Sequence, residues 1–381
     1  MSATSITAAR LSSNMTASKS PRGPLHVPVR ILLWTLLLRV VYSALAAFFL
    51  GMPAPGDAAR RATNLTLPVF HSGWKLWLLE PWQRFDTAWY VQIAASGYQD
   101  PNSTVFYPLY PLLLRGLPVE PMLAALTIST VAAFFFFWAF HKLAEQEYGT
   151  RAAWTGLLLL WLWPSSCILF AGYPESLLLA LLAWSLWFGT QKRWLAAGTL
   201  GCLAGFSKAT GCLVAIPLLL LAWRSGRNWK SGFAALPFAT YPAWQLWVAN
   251  AGFPGTQHVY EQYWRTAVTS PWNTFFAGLR EWLATHDWLL AANLGAVVLV
   301  IAGSFLLRPY LALFCLAAVA FFLLKHTDPL LQSSVRYCMV AFPVFFAAAR
   351  RPGLWLVPAG GLLGVANLAA LYFFVHWSLV L

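Results

Sequence analysis

Apolar runs long enough to cross a lipid bilayer recur along this chain, and they limit its fold more than any other feature. Hydrophobic residues make up 59% of the sequence and charged residues 10%, whereas a soluble domain has about 25% charged residues. The hydrocarbon core of a membrane is crossed by about 20 apolar residues, whose backbone polar groups must be paired within the segment. Runs such as Leu157–Leu162 lack the alternation of a membrane barrel, so the spans are predicted to be α-helices.

These runs predict an all-α polytopic membrane protein with about 9–11 transmembrane helices. The run between Trp194 and Trp223 is interrupted by Ser207–Gly211, so it forms either one helix or two short helices that meet at Lys208. Two short helices are preferred, because both ends of the pair then return positive charges to the cytoplasm. The other predicted spans are Val29–Leu50, Met122–Phe140, Ala153–Leu169, Ser176–Gly189, Gly232–Ala249, Trp288–Leu307, Tyr310–Leu324, Tyr337–Ala349 and Leu354–Val375.

Positive charges lie mainly in short clusters beside the apolar runs, as topology determinants do. The net charge of +13 therefore does not indicate a nucleic-acid partner. The clusters predict a cytoplasmic N-terminus in a multi-pass protein. Residues 1–27 are rich in Ser, Thr and Pro and are predicted to form a disordered tail, followed by one transmembrane domain, residues 28–381. The predicted outer segments are two long loops, 51–121 and 250–287, and three short polar hairpins, Gly172–Glu175, Ser207–Gly211 and Lys325–Arg336.

The first outer loop contains the most informative motif, which begins at Trp82. Trp82, Phe85 and Trp89 recur at helical spacing, which predicts a short amphipathic helix in the plane of the membrane interface. Asp86 lies within this aromatic belt, and a poorly hydrated carboxylate there suits a general base that accepts a proton from a sugar hydroxyl. Pairing with Arg84, or capping of a helix, is the alternative role for Asp86.

The motif reads Trp-x-Arg-Phe-Asp-Thr-x-Trp-Tyr, and Ile-Ala-x-x-Gly-Tyr and Phe-Tyr-Pro-Leu-Tyr-Pro follow it. In this order, and with three later segments, it resembles the PIG-V family of mannosyltransferases, which comprises GPI mannosyltransferase 2 and its prokaryotic relatives. One departure is Lys208, which stands where the family usually has Arg. The later segments are Trp163–Ser176, which contains Tyr-Pro-Glu-Ser, then Ala204–Gly211 and Arg336–Pro343.

The resemblance implies a GT-C fold with its active site at the outer face. It implies inverting transfer of a sugar, typically mannose, from a polyprenyl-phosphate donor. The short chain, its short loops and its Ala-, Leu- and Trp-rich composition indicate a bacterial inner or plasma membrane, with a glycolipid or a protein as the acceptor. Asp86 is the candidate catalytic base. The candidate substrate-binding residues are Arg84, Trp89, Tyr90, Tyr107, Tyr110, Tyr173, Glu175, His258 and Tyr337, and Tyr260, Glu261, His326 and Asp328 are further candidates on the acceptor side.

Three cations are candidate ligands of the donor phosphate: Lys208, Arg336 and Arg39. Lys208 and Arg336 lie at outer helix ends beside polar breaks, and ionisable residues within a membrane are often functional. Lys208 would bind phosphate as a point charge, without the bidentate fork of an arginine. Snorkelling to the interface is the alternative for Lys208 and Arg336, and burial against a neighbouring helix is the alternative for Arg39.

No metal or other cofactor is expected beyond the donor itself. Asp86 is a single acid without an Asp-x-Asp neighbour, and the five Cys lie in apolar segments without a metal-binding spacing. Two other functions fit a polytopic protein: a transporter or flippase of lipid-linked sugars, and a non-catalytic membrane subunit. A transporter favours broken helices in paired repeats, and no such repeat is evident.

Overall fold

The computed structural model describes residues 26–54, 70–226, 228–350 and 353–378, and most of these residues are helical. The predicted tail lies outside the described residues, except for His26 and Val27, which belong to the first helix. The helices of the first half are α1 (His26–Leu50), α2 (Gly73–Leu78), α3 (Asp86–Ser96), α4 (Leu109–Arg115), α5 (Pro121–Tyr148), α6 (Thr150–Leu162), α7 (Glu175–Thr190), α8 (Trp194–Ser207) and α9 (Ala215–Arg224).

The second half continues in the same way and adds a two-stranded antiparallel sheet, in which Val268 lies opposite Lys325. Its helices are α10 (Thr240–Asn250), α11 (Thr256–Gln262), α12 (Pro271–Thr285), α13 (Trp288–Ser304), α14 (Pro309–Leu323), α15 (Ser334–Tyr337), α16 (Val344–Ala349) and α17 (Leu356–Val375), and its strands are β1 (Ala267–Val268) and β2 (Lys325–His326). Segments of 3-10 helix are Glu80–Trp82, Pro101–Val105, Ser166–Phe170, Ala209–Val214, Trp229–Ala239 and Cys338–Ala341.

Three of the described helices, α1, α5 and α17, are long and apolar enough to span a membrane. Helix α5 is central and packs against α1, α6 and α7, with 56% of its most apolar window buried, against 22% for both α1 and α17. The outer pair therefore presents apolar side chains such as Leu33 and Val365 outward, as lipid-facing helices do. Shorter apolar helices, including α7, α8, α13 and α14, complete the bundle.

The predicted break in the 194–223 region is confirmed. Helix α8 ends at Ser207, Lys208 has extended backbone (φ −161°), and a 3-10 segment leads into α9. A side chain at Gly211 would overlap the carbonyl group of Ala204, so the returning backbone can pack directly on the end of α8. The break therefore holds Lys208 at the junction of two short helices.

Other predicted spans are less regular than expected. The predicted Gly232–Ala249 span divides into a 3-10 segment and α10, and Tyr337–Ala349 divides into short pieces that bracket Pro343. The predicted Ala153–Leu169 span ends as α-helix at Leu162, because Pro164 cannot continue the ladder of backbone hydrogen bonds.

The expected single amphipathic face of Trp82, Phe85 and Trp89 was wrong. Trp82 ends the 3-10 segment Glu80–Trp82, and helix α3 begins only at Asp86. Phe85, between them, has a φ of 47°, which interrupts any continuous helix. Trp82 instead packs in the interior near Phe374 of α17.

Candidate active site

Asp86 is the first residue of α3, where a carboxylate interacts favourably with the helix dipole. The residue before it, Phe85, has a positive φ that bulky residues rarely adopt. Its ring packs against Phe374 and Trp377, with centroids at 5.9 and 5.1 Å, so contacts from the C-terminal segment hold this conformation. Backbone strain fixed by packing is common at functional sites, and here it sets the direction in which α3 starts.

The predicted hairpin Gly172–Glu175 packs against the start of α3. A Cβ at Gly172 would lie 2.6 Å from Cγ2 of Thr87, so a glycine is needed for this close approach. The Tyr173 hydroxyl accepts a hydrogen bond from the Asp86 backbone N–H at 3.3 Å and donates to the Arg84 carbonyl at 3.4 Å. The hairpin thereby fixes the backbone on both sides of Phe85.

Four charged side chains from four distant segments meet at this point. Arg336 Nη1 lies 2.9 Å from Asp86 Oδ2, and Arg336 Nε lies 3.6 Å from Glu175 Oε1. Lys208 Nζ lies 2.8 Å from the same Glu175 oxygen. Glu175 and Arg336 are buried, while Asp86 and Lys208 side chains are 20% and 23% exposed. We call the ion-paired set Asp86, Glu175, Lys208 and Arg336 the charged cluster.

Arg336 is held in place through the neighbouring residue, Val335. The Val335 N–H donates to Oδ1 of Asn293 at 3.0 Å, and its carbonyl accepts from Trp163 Nε1 at 2.9 Å and from the Ser165 hydroxyl at 3.2 Å. Trp163 and Ser165, from the predicted motif that begins at Trp163, therefore hold the backbone next to Arg336. Such preorganisation keeps a charged group in a fixed geometry.

Aromatic rings complete the charged cluster. The guanidinium carbon of Arg336 lies 5.4 Å from the Tyr173 ring centroid and 5.0 Å from that of Tyr337, and Lys208 Nζ lies 5.1 Å from the Tyr337 centroid. These distances are typical of cation–π contacts. The Tyr337 hydroxyl also accepts a hydrogen bond from Arg336 Nη2 at 3.2 Å. The predicted site residues Tyr173, Glu175 and Tyr337 are therefore brought together with Asp86.

Tyr90 lies one helical turn after Asp86 and is buried. Burial raises the pKa of Tyr90 well above its usual range, and the nearby negative charges of Glu175 and Asp86 raise it further. Burial and the Asp86 charge do the same to the pKa of Tyr173, against the opposing effect of Arg336. Both phenols therefore stay protonated beside the carboxylates.

The structure places Arg84 and Arg39 elsewhere. Arg84 donates to backbone carbonyls and pairs with Glu80, with its guanidinium over Trp377. Arg39 in α1 donates to the Phe170 carbonyl and stacks on Trp82, as expected for burial against a neighbouring helix. Neither makes an ion pair with Asp86 or Glu175, so the interactions of both tie helices together.

The remaining aromatic candidates are buried in two small hydrophobic clusters, one around α3 and one against α10. Trp89 stacks on Phe106, Tyr110 packs against Tyr90 and contacts Ser129, and Tyr107 packs against Trp244. Each of these three candidates is buried by such contacts, those of Trp89 and Tyr110 around α3 and those of Tyr107 against α10. His258 lies exposed on α11, and the structure does not bring it to the charged cluster.

A separate polar cavity of about 350 Å³ lies at the β1–β2 sheet. It contains three of the residues predicted on the acceptor side, and it shares no lining residue with the charged cluster. The described residues contain no group of three His, Cys, Asp or Glu side chains arranged to hold a metal. The cavity is lined by Glu261, Arg265, Thr266, Ala267, Glu281, His326, Thr327, Asp328 and Leu330.

The fold is similar to that of ArnT from Cupriavidus metallidurans, whose crystal structure contains bound undecaprenyl phosphate. The TM-score is 0.51, and the alignment covers 93% of this chain and 77% of that chain at 13% sequence identity. This chain has a GT-C fold. No family model matches the sequence, and no curated protein matches it. The predicted fold class is therefore confirmed, while the resemblance to PIG-V enzymes stays a prediction.

Proposed function

We propose that this protein is a membrane glycosyltransferase that transfers a sugar from a polyprenyl-phosphate donor to an acceptor hydroxyl with inversion. The motif resemblance favours mannose as the sugar, and a glycolipid or a protein on the outer face of a bacterial inner membrane as the acceptor. The GT-C fold supports this function, as does its occurrence in a protein that binds undecaprenyl phosphate.

The observation that carries the proposal is the charged cluster itself. Burying ionised side chains in a membrane protein costs desolvation free energy. Buried charged groups without a packing role are therefore candidates for function. The charged cluster joins residues up to 250 positions apart, at points where α3, α7 and α8 begin or end. Such an arrangement binds and orients a polar substrate at the end of a helical bundle.

Asp86 is the general base in this mechanism. Its carboxylate accepts the proton of the acceptor hydroxyl as that oxygen attacks the anomeric carbon of the sugar. The bond from this carbon to the phosphate oxygen breaks, and its electron pair leaves with the polyprenyl phosphate. Arg336 orients the Asp86 carboxylate, and cations at the departing phosphate stabilise its growing negative charge.

The test uses purified full-length protein, polyprenyl-phosphate mannose and a panel of glycolipid and peptide acceptors. Removal of the base with Asp86→Asn should lower kcat by a factor of roughly 10²–10⁴. Asp100→Asn is the matched control, because Asp100 follows α3 and its carboxylate caps the backbone N–H of Asn102. Product anomers identified by NMR check the inversion.

Unchanged transfer by the Asp86→Asn protein would remove Asp86 as the base. Failure of the wild-type protein to transfer sugar from any polyprenyl-phosphate donor would contradict the enzyme proposal. A flippase assay in proteoliposomes with the same lipid-linked sugar then tests the transporter alternative.

A further inference from the structure

The charged cluster is electrically balanced, because it contains two carboxylates and two cations. Asp86 pairs with Arg336, and Glu175 pairs with Lys208 as well as facing Arg336. Two of the three cations predicted to bind the donor phosphate, Lys208 and Arg336, are therefore already engaged with carboxylates. A phosphate that entered the charged cluster would have to compete with these ion pairs for Lys208 and Arg336.

Lys325 is a third cation beside the charged cluster, and it has no such partner. Among the residues described, it forms no ion pair with Asp or Glu. Its Nζ lies 3.9 Å from the ring centroid of Tyr260, which comes from α11 in the second outer loop. A half-buried ammonium group held over an aromatic ring keeps its charge available for an anionic ligand.

The surroundings of Lys325 connect it to the charged cluster. Burial alone would lower the pKa of Lys325, but the hydroxyls of Tyr260 and Tyr337 outweigh it and raise the pKa, while Arg336 opposes them. Lys325 thus stays charged and lies within electrostatic range of Arg336 and of Tyr337. The ring of Tyr337 is the one that Lys208 and Arg336 contact. Counting Lys325, three cations accompany two carboxylates, which leaves one positive charge in excess.

The β1–β2 pairing explains the orientation of Lys325. Successive side chains of a strand point to opposite faces. His326 lines the polar cavity, so the preceding Lys325 points away from that cavity, toward Tyr260. The strand therefore separates the cavity from the side chain of Lys325.

We infer that Lys325 is the residue that binds the phosphate of the lipid-linked donor, a polyprenyl phosphodiester. The inference rests on the proposed function. As the anomeric carbon–oxygen bond breaks, the departing phosphate gains a negative charge, and the Lys325 ammonium group stabilises it as a point charge with three donors. The proton from the acceptor goes to Asp86, so Lys325 acts without giving up a proton.

The experiment measures binding without turnover. Full-length protein in lipid nanodiscs is titrated with undecaprenyl phosphate and with undecaprenol, and bound lipid is counted by native mass spectrometry. The wild-type protein should prefer the phosphate, and Lys325→Met should reduce this preference by about tenfold, since one charge-assisted contact is lost. Lys325→Arg should retain most of it. Lys75→Met is the matched control, because Lys75 in α2 also lies over aromatic rings.

Steady-state kinetics separate phosphate binding from structural damage. A loss of phosphate binding should raise KM for the donor in Lys325→Met and leave KM for the acceptor unchanged. Lys325→Gln, which keeps a polar tip, repeats the comparison if the Met variant does not elute as a single species. An unchanged preference for the phosphate in both variants would overturn the role of Lys325 and leave the proposed function standing. A wild-type protein that does not distinguish the phosphate from the alcohol would contradict the proposed function as well.

Discussion

Two buried arginines in this protein, Arg84 and Arg336, have similar exposure but different surroundings. Their side chains are 3% and 4% exposed. Arg84 donates to the backbone carbonyls of Val375, Glu80 and Gln83 and pairs with the Glu80 carboxylate. Arg336 instead faces two carboxylates and two phenol rings, and its Nε has no hydrogen-bond partner within the described part of the chain.

The comparison shows why burial alone does not identify a functional arginine. Backbone carbonyls cannot change their charge or dissociate, so the contacts of Arg84 fix the segment around Glu80 against the end of α17. Carboxylates and phenols can exchange protons and partners when a substrate binds. Arg84 therefore holds two segments of the chain together. The surroundings of Arg336 are those expected of the proposed active site.

The largest expected effect is on activity at Arg336. Arg336→Met should lower kcat by roughly 10²–10³, because it removes the cation that orients Asp86 and faces Glu175. Arg336→Lys should recover only part of the activity, since a point charge cannot bridge two carboxylates as a guanidinium does. The measurement is initial-rate kinetics with polyprenyl-phosphate sugar, and near-normal rates for Arg336→Met would place the chemistry elsewhere.

The opposite pattern is expected at Arg84. Arg84→Met removes the buried guanidinium that pairs with the Glu80 carboxylate and donates to the Val375 carbonyl, which should cost about 3 kcal/mol of stability. Thermal unfolding in detergent should shift to lower temperature, while kcat of the folded fraction stays close to that of the wild type. Glu80→Gln added to Arg84→Met should restore part of the loss. A raised KM with normal stability of the Arg84→Met variant would instead indicate that Arg84 binds substrate.

Sequence reasoning located the segments of the site better than it located their partners. The three polar hairpins were predicted from breaks in hydropathy, and each contributes a charged residue to the charged cluster or its edge: Glu175, Lys208 and, from the third, Lys325 and Arg336. Their pairing could not be predicted, because it depends on how helices far apart in sequence pack. Arg84 and Asp86 belong to one motif, yet the positive φ of Phe85 directs them to different regions.

Lys325 was not among the predicted site residues, although the sequence contained a signal for it. A lysine at the predicted outer end of an apolar span runs against the tendency of positive charges to lie inside. Lys208 and Arg336 became candidates on a related ground, because they are ionisable residues at predicted outer helix ends beside polar breaks. The aromatic candidates Trp89, Tyr107 and Tyr110 were predicted to bind substrate, but they pack in the protein interior. Motifs rich in aromatic rings serve packing in a membrane protein as readily as ligand binding.

A smaller effect on stability is expected at Gly172, because the Gly172–Glu175 hairpin contacts both Arg84 and Asp86. Gly172→Ala places a methyl group against Cγ2 of Thr87, which should cost about 1–3 kcal/mol of stability and loosen the contacts of Tyr173 with Arg84 and Asp86. Thr87→Ser removes Cγ2 and should restore stability in the double variant. Additive losses in the double variant, measured as unfolding temperatures, would contradict this local clash.

The smallest expected effect is the coupling between Glu175 and Lys208. The variants Glu175→Gln and Lys208→Met, alone and combined, form a double-mutant cycle whose interaction energy should lie in the range of about 0.5–3 kcal/mol. Lys208 is partly exposed, so its coupling should be weaker than that between Glu175 and the buried Arg336, measured in a parallel cycle. A stronger coupling of Glu175 with Lys208 than with Arg336 would mean that Glu175 serves chiefly to hold Lys208 at the helix break. Arg336 would then be held by Asp86 alone.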